Sequence, residues 1–375
     1  MTVIAINGMI LERGRLSGIG HYTVQLATWF ARINQERGSG HRIVVVCRPD
    51  ALHHITAIEG VEAIPVPFGG GRIARVLTEQ LYLPTLLRRE KVDAVVNPAF
   101  TGPVHGVRTV VTTVHDPYFC VVPELIPTAQ RMFLSTLVPF CCRRSTHVVT
   151  TSSSTMRDLE RFYPDLANRI TVVPMANRLE SPSELPDDRP ATDGHLFVLI
   201  VAAMTGNKNP GPLIEAVALI RRQHPGLTLV HVGSDLEGRL ADEIERHNAA
   251  AWVVSRAGVS DADLAELYRQ CLCVAIPSLY EGFGLPLLEA QAFGAPVIAS
   301  DRSALPEVGG EGAIYFDPTD PSRIAEAIVT LVTSPERRET LRQLGFANQA
   351  RFTWQKTAKA MLEILVGDGD SDEMA

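Results

Sequence analysis

Residues 271–289, CLCVAIPSLYEGFGLPLLE, decide the fold of the C-terminal half of the chain. The first six residues are a short apolar run that suits a buried strand, and Pro286 fits the first position of a helix. Between them, Gly282 and Gly284 let backbone N–H groups approach a ligand closely. A strand, a glycine turn and a helix N-terminus in this order are typical of a diphosphate site in a parallel sheet.

Two glutamates bracket this turn. Glu281 stands in the turn itself, and Glu289 lies about one helical turn inside the helix. A carboxylate at either position can accept two sugar hydroxyls. The residues alone leave an alternative open, in which Glu281 is a loop charge and Glu289 is a helix residue that faces solvent or is favoured by the helix dipole.

The motif EGFGLPLLE at residues 281–289 resembles the donor-site motif of the retaining glycosyltransferases of family 4, which have the two-domain GT-B fold. The resemblance spans nearly the whole chain and is strongest over residues 254–316. It implies that Glu281 lies against the donor sugar and takes part in catalysis, and that Glu289 binds the ribose of the nucleotide. It further implies a set of residues whose backbone holds sugar and diphosphate: Gly282, Phe283, Gly284 and Leu285.

Apolar runs alternate with helical segments along the chain, which is the pattern of parallel α/β sheets. The predicted strands are residues 43–47, 94–97, 109–114, 148–151, 170–173, 196–202, 228–232, 252–254, 273–276 and 296–300. A polar, proline-rich stretch at 181–190 predicts a linker. We therefore expect two doubly wound domains facing a cleft. They are an acceptor-binding domain at 1–180, joined by the C-terminal crossover helix and tail at 355–375, and a donor-binding domain at 181–354.

Length and composition favour a two-domain enzyme, because 375 residues that are 46% hydrophobic suffice for two cores. Residues 1–7 predict a first strand and not a signal peptide, and no run reaches the ~20 apolar residues of a spanning helix. We therefore expect a cytoplasmic protein. The six cysteines lack Cys-x-x-Cys spacing and predict buried thiols. We expect no metal and no cofactor, since the nucleotide sugar is a substrate.

The net charge of −7 conceals an asymmetry, because residues 1–180 carry 19 Lys and Arg against 14 Asp and Glu. Basic residues mix with apolar ones at 69–75 and 86–91. This pattern suits an anionic acceptor or peripheral contact with the inner membrane, although a solvated helix face is the alternative. Nucleic acid is not expected as a partner, because the basic residues are few and no recognition motif accompanies them.

For three further motifs, the resemblance implies a function that the residues alone do not indicate. Gly18 and Gly20 open a helix, and the equivalent family loop closes over the donor phosphates. His115 follows an apolar strand, where the family carries a His-Asp pair that contacts the donor sugar; Asp116 ranks lower, as an acceptor contact. Lys208 is expected to neutralise the departing diphosphate. Family members usually carry an arginine close to this lysine, and here no neighbour is basic.

The segment 254–268 resembles the strand, base-binding loop and helix of the family. Ser260 is a suitable N-cap for that helix, and Arg256 is expected to contact the nucleotide. Asp261 and Asp263 have the spacing of an Asp-x-Asp metal motif. They stand in the first turn of a helix, however, where carboxylates favour the dipole, so we do not expect a metal there.

The resemblance implies a retaining hexosyltransferase that acts from a nucleotide diphospho-sugar, with GDP-mannose as the expected donor. A lipid-linked or saccharide acceptor of surface polysaccharide synthesis is the expected second substrate. Two alternatives remain open: an epimerase that acts on the nucleotide sugar itself, and a GT-B protein that binds nucleotide sugar without turnover. The absence of the arginine near Lys208 is the observation that favours the second alternative.

Overall fold

The computed structural model describes residues 1–14, 16–67, 71–179 and 196–367. By its internal packing the chain divides into two compact units. The first comprises Met1–Cys120, Pro127–Met175 and Thr353–Ala375, and the second comprises Val121–Ile126 and Ala176–Phe352. The predicted linker at 181–190 lies outside the described residues.

The first unit contains one parallel sheet, which has seven strands in the part of the chain described. In chain order these are β1 (Val3–Gly8), β2 (Arg42–Cys47), β3 (Val61–Pro65), β4 (Ala94–Asn97), β5 (Thr109–Val114), β6 (His147–Thr150) and β7 (Ile170–Val172). Their spatial order is β3-β2-β1-β4-β5-β6-β7, with parallel pairing throughout. The strand order reverses between β1 and β4, as expected for a doubly wound sheet.

Helices flank this sheet. They are α1 (Gly18–Arg37), α2 (Arg72–Leu77), α3 (Leu83–Arg89), α4 (Tyr118–Val121), α5 (Thr128–Arg144) and α6 (Ser153–Phe162). A π-helical turn at Thr78–Tyr82 joins α2 to α3, and 3-10 turns lie at Pro49–His54 and Pro164–Arg169. Buried aliphatic residues such as Val44, Val95 and Leu87 form a core beneath α3.

The second unit repeats the architecture with a six-stranded sheet within the described residues. Its strands are β8 (Phe197–Val201), β9 (Thr228–Val232), β10 (Val253–Arg256), β11 (Cys273–Ile276), β12 (Val297–Ser300) and β13 (Ala313–Phe316). They are parallel and lie in the order β10-β9-β8-β11-β12-β13. Here the order reverses between β8 and β11.

The helices of the second unit are α7 (Pro210–Arg221), α8 (Arg239–Arg246), α9 (Asp261–Gln270), α10 (Leu285–Ala292), α11 (Leu305–Gly309), α12 (Pro321–Thr333) and α13 (Pro335–Gln349). Its 3-10 turns are Pro123–Leu125, Gly206–Lys208 and Gly310–Gly312. A fully buried apolar core, including Leu213, Leu229 and Ile298, lies between α7, α12 and the sheet.

The last helix, α14 (Trp354–Val366), belongs to the first unit and packs on α1. The rings of Trp354 and Tyr22 lie 5.9 Å apart, and the hydroxyl of Thr357 donates to the carbonyl of Pro174 at 2.7 Å. This helix is the predicted crossover element. Its amphipathic sequence explains the packing, because its apolar face covers α1 while Lys356 and Lys359 stay exposed.

Candidate functional site

The site of the second unit lies where the strand order reverses. Ligands of open α/β sheets bind beyond the carboxyl ends of the strands at such a point. β8 and β11 are neighbours there, and the segments that follow them carry Lys208 and Glu281, respectively. The topology thus brings together two predicted residues that stand 73 positions apart in sequence.

Glu281 is held by two donors. Its Oε1 atom accepts a hydrogen bond from Lys208 Nζ at 2.5 Å and one from Ser278 Oγ at 2.7 Å. Both charged side chains are largely buried, at 20% exposed for Lys208 and 14% for Glu281. A partly buried, hydrogen-bonded ion pair of this kind has one preferred geometry, so the cation is fixed beside the turn.

Side chains from neighbouring loops fix the backbone of the turn. Asn207 Nδ2 donates to the carbonyl of Tyr280 at 2.8 Å, and the amide of Leu279 donates to the carbonyl of Asn207 at 2.8 Å. On the other side, the amide of Glu281 donates to Ser303 Oγ at 2.9 Å. The turn after β11 is thus anchored both to the loop after β8 and to the loop after β12.

Gly284 is the N-cap of α10 and adopts a left-handed conformation with φ of 98°. A Cβ atom at this position would lie 2.7 Å from Leu305 Cδ2, so both the backbone and the space require glycine. The ring of Phe283 is buried and makes an edge contact with Phe352 at 5.8 Å. The helix begins at Leu285, so Pro286 is its second residue, one position later than the sequence predicts.

Glu289 is 2% exposed on α10, and both of its carboxylate oxygens are engaged. Oε1 accepts from Arg178 Nε at 2.9 Å, and Oε2 accepts from the Tyr268 hydroxyl at 2.8 Å. Arg178 Nη1 also donates to Asp261 Oδ1 at 2.8 Å. Glu289 is therefore neither solvent-facing nor isolated, and the alternative of an exposed helix residue is wrong.

The predicted base-binding segment places Arg256 at the end of the edge strand β10, where its side chain is exposed. Ser260 caps α9 as predicted, because its Oγ accepts from the amide of Asp263 at 3.1 Å. Asp261 forms an ion pair with Arg178. Among the residues described, no group of three or more His, Cys, Asp or Glu side chains is placed to hold a metal ion.

In the first unit, His115 follows β5 and is 7% exposed. Its Nε2 atom lies 2.8 Å from the carbonyl of Pro98 and donates to it, while the ring contacts Tyr22 edge-on at 5.0 Å. Burial lowers the pKa of His115 to about 4, against the opposing effect of the hydrogen bond to Pro98. The imidazole is consequently neutral near pH 7. Its backbone carbonyl accepts from the hydroxyl of Thr155 at 3.2 Å.

Gly18 and Gly20 both lie in the first turn of α1. Gly18 is exposed, whereas Gly20 is buried and its amide donates to the N-cap Ser17 Oγ at 3.1 Å. A Cβ atom on Gly20 would approach Leu16 Cδ2 to 3.2 Å. Gly20 thus has a packing role at the start of the helix, in addition to the role that the sequence predicts for this loop.

Several residues of the site were not singled out from the sequence. Four of them hold the two glutamates and the turn: Arg178, Tyr268, Ser278 and Ser303. Tyr268 and Ser278 lie within the segments quoted above, whereas Arg178 and Ser303 lie outside every motif. Near Lys208, the guanidinium of Arg239 lies 3.3 Å from the Cβ position of Gly206. A basic group from α8 thus lies beside the loop whose own sequence lacks the expected arginine. Within the sequence, only the turn Gly206–Lys208 pointed to this region.

Two family models match the chain. The model for Glycosyltransferase Family 4 matches residues 16–176, and the model for Glycosyl transferases group 1 matches residues 183–347. Together they span most of the sequence. The first match covers the larger part of the first unit, and the second covers the β11–α10 turn.

Curated relatives agree with this match. The O-antigen chain mannosyltransferase B of Escherichia coli is 28% identical over 263 residues, which are 67% of this chain and 68% of the relative. The D-inositol 3-phosphate glycosyltransferase of Segniliparus rotundus is 31% identical over 218 residues, or 54% of this chain and 48% of the relative. The chain thus aligns with about half to two thirds of the length of these two proteins.

Among solved structures, that of WaaG, a glycosyltransferase involved in lipopolysaccharide biosynthesis, superimposes with a TM-score of 0.76. The alignment covers 97% of this chain and 100% of WaaG at 16% sequence identity. The predicted fold class, two doubly wound parallel-sheet domains of the GT-B type, is confirmed by this likeness and by the two sheets.

Proposed function

Because the chain belongs to the glycosyltransferases, with a family 4 N-terminal part and a group 1 C-terminal part, we propose that it transfers a hexosyl unit from a nucleotide diphospho-sugar to an acceptor hydroxyl. The observation that carries the proposal is the pair Lys208–Glu281 beside the start of α10. It joins a cation, a carboxylate and a helix N-terminus at the strand reversal of the second unit.

The reaction breaks the bond between the anomeric carbon and the diphosphate. Charge then develops on the leaving diphosphate and, with opposite sign, on the sugar. We assign the backbone amides at residues 282–285 to the diphosphate, since N–H groups at a helix N-terminus suit anions. Lys208 supplies the positive charge, and Glu281 holds Lys208 in place and lies against the donor sugar. Retention of configuration through front-face attack is what the family implies.

The nucleotide is assigned to the rest of the same unit. Glu289 accepts hydrogen bonds from the ribose hydroxyls, and Arg256, on the exposed end of β10, contacts the base or ribose. On the first unit, Gly18, Gly20 and His115 stay our proposed ligand contacts. Because its Nε2–H donates to Pro98, the neutral imidazole of His115 keeps Nδ1 as an acceptor for a sugar hydroxyl and adds no charge.

We propose GDP-mannose as the donor and a lipid-linked or saccharide acceptor in surface polysaccharide synthesis. The support is the name of the Escherichia coli relative, an O-antigen chain mannosyltransferase, together with the family resemblance of the His-Asp-Pro segment. The first unit, whose described residues carry the excess of basic side chains, is the proposed acceptor-binding domain, and residues 181–354 form the proposed donor-binding domain.

We further propose that the first unit contacts the cytoplasmic face of a membrane through the apolar stripe Ile73, Leu77 and Leu81. These residues recur every fourth position from α2 into the π-helical turn and are 70%, 53% and 73% exposed, respectively. Exposed arginines at 72, 88 and 89 flank the stripe. Apolar side chains between basic ones suit an anionic lipid surface. Among the described residues, no helix is long and apolar enough to cross a membrane.

Thermal stabilisation by nucleotide sugars tests the proposed function, because a ligand that binds only the native state raises its melting temperature. The panel contains GDP-mannose, UDP-glucose, dTDP-rhamnose and ADP-glucose. We expect one of them to stabilise the wild-type protein and to lose this effect in Glu289→Ala. The exposed Glu326→Ala, on α12, is the control and should behave as wild type.

A nuclear magnetic resonance assay of the stabilising donor then separates the alternatives. Transfer of the sugar to an acceptor, or slow release to water, supports the transferase. Interconversion of the donor sugar without release of nucleotide diphosphate would show the epimerase. Stabilisation without any turnover would instead show the non-catalytic binding protein, and no stabilisation by any donor would contradict the proposed function.

A further inference from the structure

Glu289 is the predicted ribose ligand, yet it lies deep in the second unit with two protein partners. Arg178 Nε binds one oxygen at 2.9 Å and the Tyr268 hydroxyl binds the other at 2.8 Å. An ionised carboxylate offers about four acceptor positions. Two of them are occupied here, one on each oxygen, and one on each oxygen is left for a ligand.

Arg178 is itself fixed by a second ion pair. Its Nη1 atom binds Asp261 in the first turn of α9 at 2.8 Å, and its side chain is only 11% exposed. Burial disfavours its charge, but the carboxylates of Glu289 and Asp261 outweigh burial and raise the pKa of Arg178. The guanidinium therefore bridges α9 and α10 as a permanent cation in one orientation.

Tyr268 completes the arrangement from α9. Its side chain is fully buried, and its ring stacks on Phe293 with the centroids 6.0 Å apart. Burial, and then the charge of Glu289, raise the pKa of Tyr268 well above its ordinary value of 10.0. The hydroxyl consequently keeps its proton and donates to Glu289. Two fixed donors, one on each oxygen, thus set the plane of the Glu289 carboxylate.

We propose that Arg178 and Tyr268 are positioning residues for ribose recognition, which orient Glu289 so that its remaining lone pairs accept the two ribose hydroxyls of the nucleotide. The inference rests on the proposed function, because it takes Glu289 as the ribose ligand. It makes the selectivity for ribose depend on Arg178, a residue that no motif marks and that lies 111 positions before Glu289. The base, the phosphates and the donor sugar contribute to the affinity through other residues, so they do not affect this selectivity for ribose.

The test compares ribonucleotides with analogues that lack both ribose hydroxyls. Isothermal titration calorimetry measures the affinity of GDP and UDP and of their 2′,3′-dideoxy forms. We expect the wild type to bind its preferred ribonucleotide at least tenfold more tightly than the dideoxy form. In Arg178→Ala the ribonucleotide affinity should fall about tenfold, whereas the dideoxy affinity stays within twofold of wild type. Tyr268→Phe should show the same pattern with a smaller loss.

Two further variants sharpen the comparison. Arg178→Lys keeps the charge but cannot bind Glu289 and Asp261 with one planar group, so it should recover only part of the selectivity. Arg269→Ala removes an arginine from α9 that pairs with Glu266 and not with Glu289, and it should match wild type. If Arg178→Ala does not fold, as judged by circular dichroism, Tyr268→Phe still tests the inference, because it removes a single hydroxyl.

Two outcomes would overturn this inference and leave the proposed function intact. One is an unchanged ratio of ribonucleotide to dideoxy affinity in the variants. The other is tighter ribonucleotide binding in Arg178→Ala, which would mean that Arg178 competes with the ribose for Glu289. In both, the wild type still binds nucleotide. If the wild type binds neither GDP nor UDP nor any donor of the panel, the proposed function fails and the inference fails with it.

Discussion

Lys208 and Glu281 form the ion pair on which the proposed chemistry depends. Their 2.5 Å contact links the loop after β8 to the turn after β11. Lys208 is expected to act in the transition state, when the diphosphate gains charge, more than in the ground state. Glu281 is the proposed contact of the donor sugar and also fixes the lysine, so the two residues should behave as a unit.

Lys208→Ala should therefore lower kcat about 10²- to 10³-fold while changing the KM for the donor much less. Glu281→Gln should lower kcat by a similar factor. The double variant should be little worse than either single variant, because each change already disrupts the pair. Steady-state kinetics with the donor found by thermal stabilisation measures these effects. Lys359→Ala, on the exposed face of α14, is the control. A loss below threefold in Lys208→Ala would contradict the assigned role.

At this scale the sequence singles out candidate residues that lie in motifs and does not reveal their contacts. Glu281, Glu289 and Lys208 are candidates because glycines, proline and turn residues surround them. Arg178 and Tyr268 have no such surroundings, and their roles arise only when α9, α10 and the segment before residue 180 pack together. Partners that meet through tertiary packing at a separation of 111 residues leave no local signal.

At the scale of elements, the start of α10 depends on Gly284. Its φ of 98° is unfavourable for any residue with a Cβ atom, and that atom would also meet Leu305 at 2.7 Å. Gly284→Ala should lower the free energy of unfolding by about 1–2 kcal/mol from backbone strain, with about 1–3 kcal/mol more from overpacking. It should also weaken nucleotide binding, since the change shifts the backbone that we assign to the diphosphate. Urea unfolding and calorimetry measure the two effects.

Gly38, at the C-cap of α1, offers a matched control outside the proposed nucleotide contacts. It has a φ of 62°, and a Cβ atom there would have no heavy atom within 4 Å. Gly38→Ala should therefore show the strain alone, about 1–2 kcal/mol, with nucleotide affinity unchanged. Equal losses of stability in both variants, with affinity kept in both, would mean that the contact with Leu305 does not shape the turn.

The strands illustrate how far elements could be predicted. β4, β5, β9 and β11 have the predicted bounds, because each is rich in apolar or β-branched residues and almost wholly buried. The strands β3 and β13 were not predicted. In β3 the exposed Glu62 interrupts the apolar pattern, and the strand forms because β2 offers hydrogen bonds, which a single sequence does not reveal. β13 is apolar, and its sequence was not recognised as a strand. The edge strands β7 and β10 were predicted, so an edge position alone does not hide a strand.

At the scale of the whole molecule, charge and exposed apolar surface are unevenly distributed. The first 180 residues have 19 basic against 14 acidic side chains, whereas the chain as a whole carries −7. The apolar stripe at 73, 77 and 81 stands among those basic residues. Beneath it, Glu79 is buried on the same helical segment and accepts from Thr101 Oγ1 at 2.8 Å, which ties the segment to the first unit. The helical segment that carries the stripe is thus held in place by the buried Glu79.

Leu77→Glu should consequently abolish most of the binding to vesicles that contain about a third anionic phospholipid, because it places a charge in the apolar stripe. Raising the salt concentration should weaken wild-type binding, since exposed charges are screened over about 10 Å at 0.1 M ionic strength. Sedimentation with vesicles measures the bound fraction. Leu236→Glu is the matched control: Leu236 is 94% exposed and belongs to the second unit, not to the stripe, so this variant should bind as wild type does. Equal binding by Leu77→Glu and wild type would contradict membrane contact through this stripe and favour a solvated helix face.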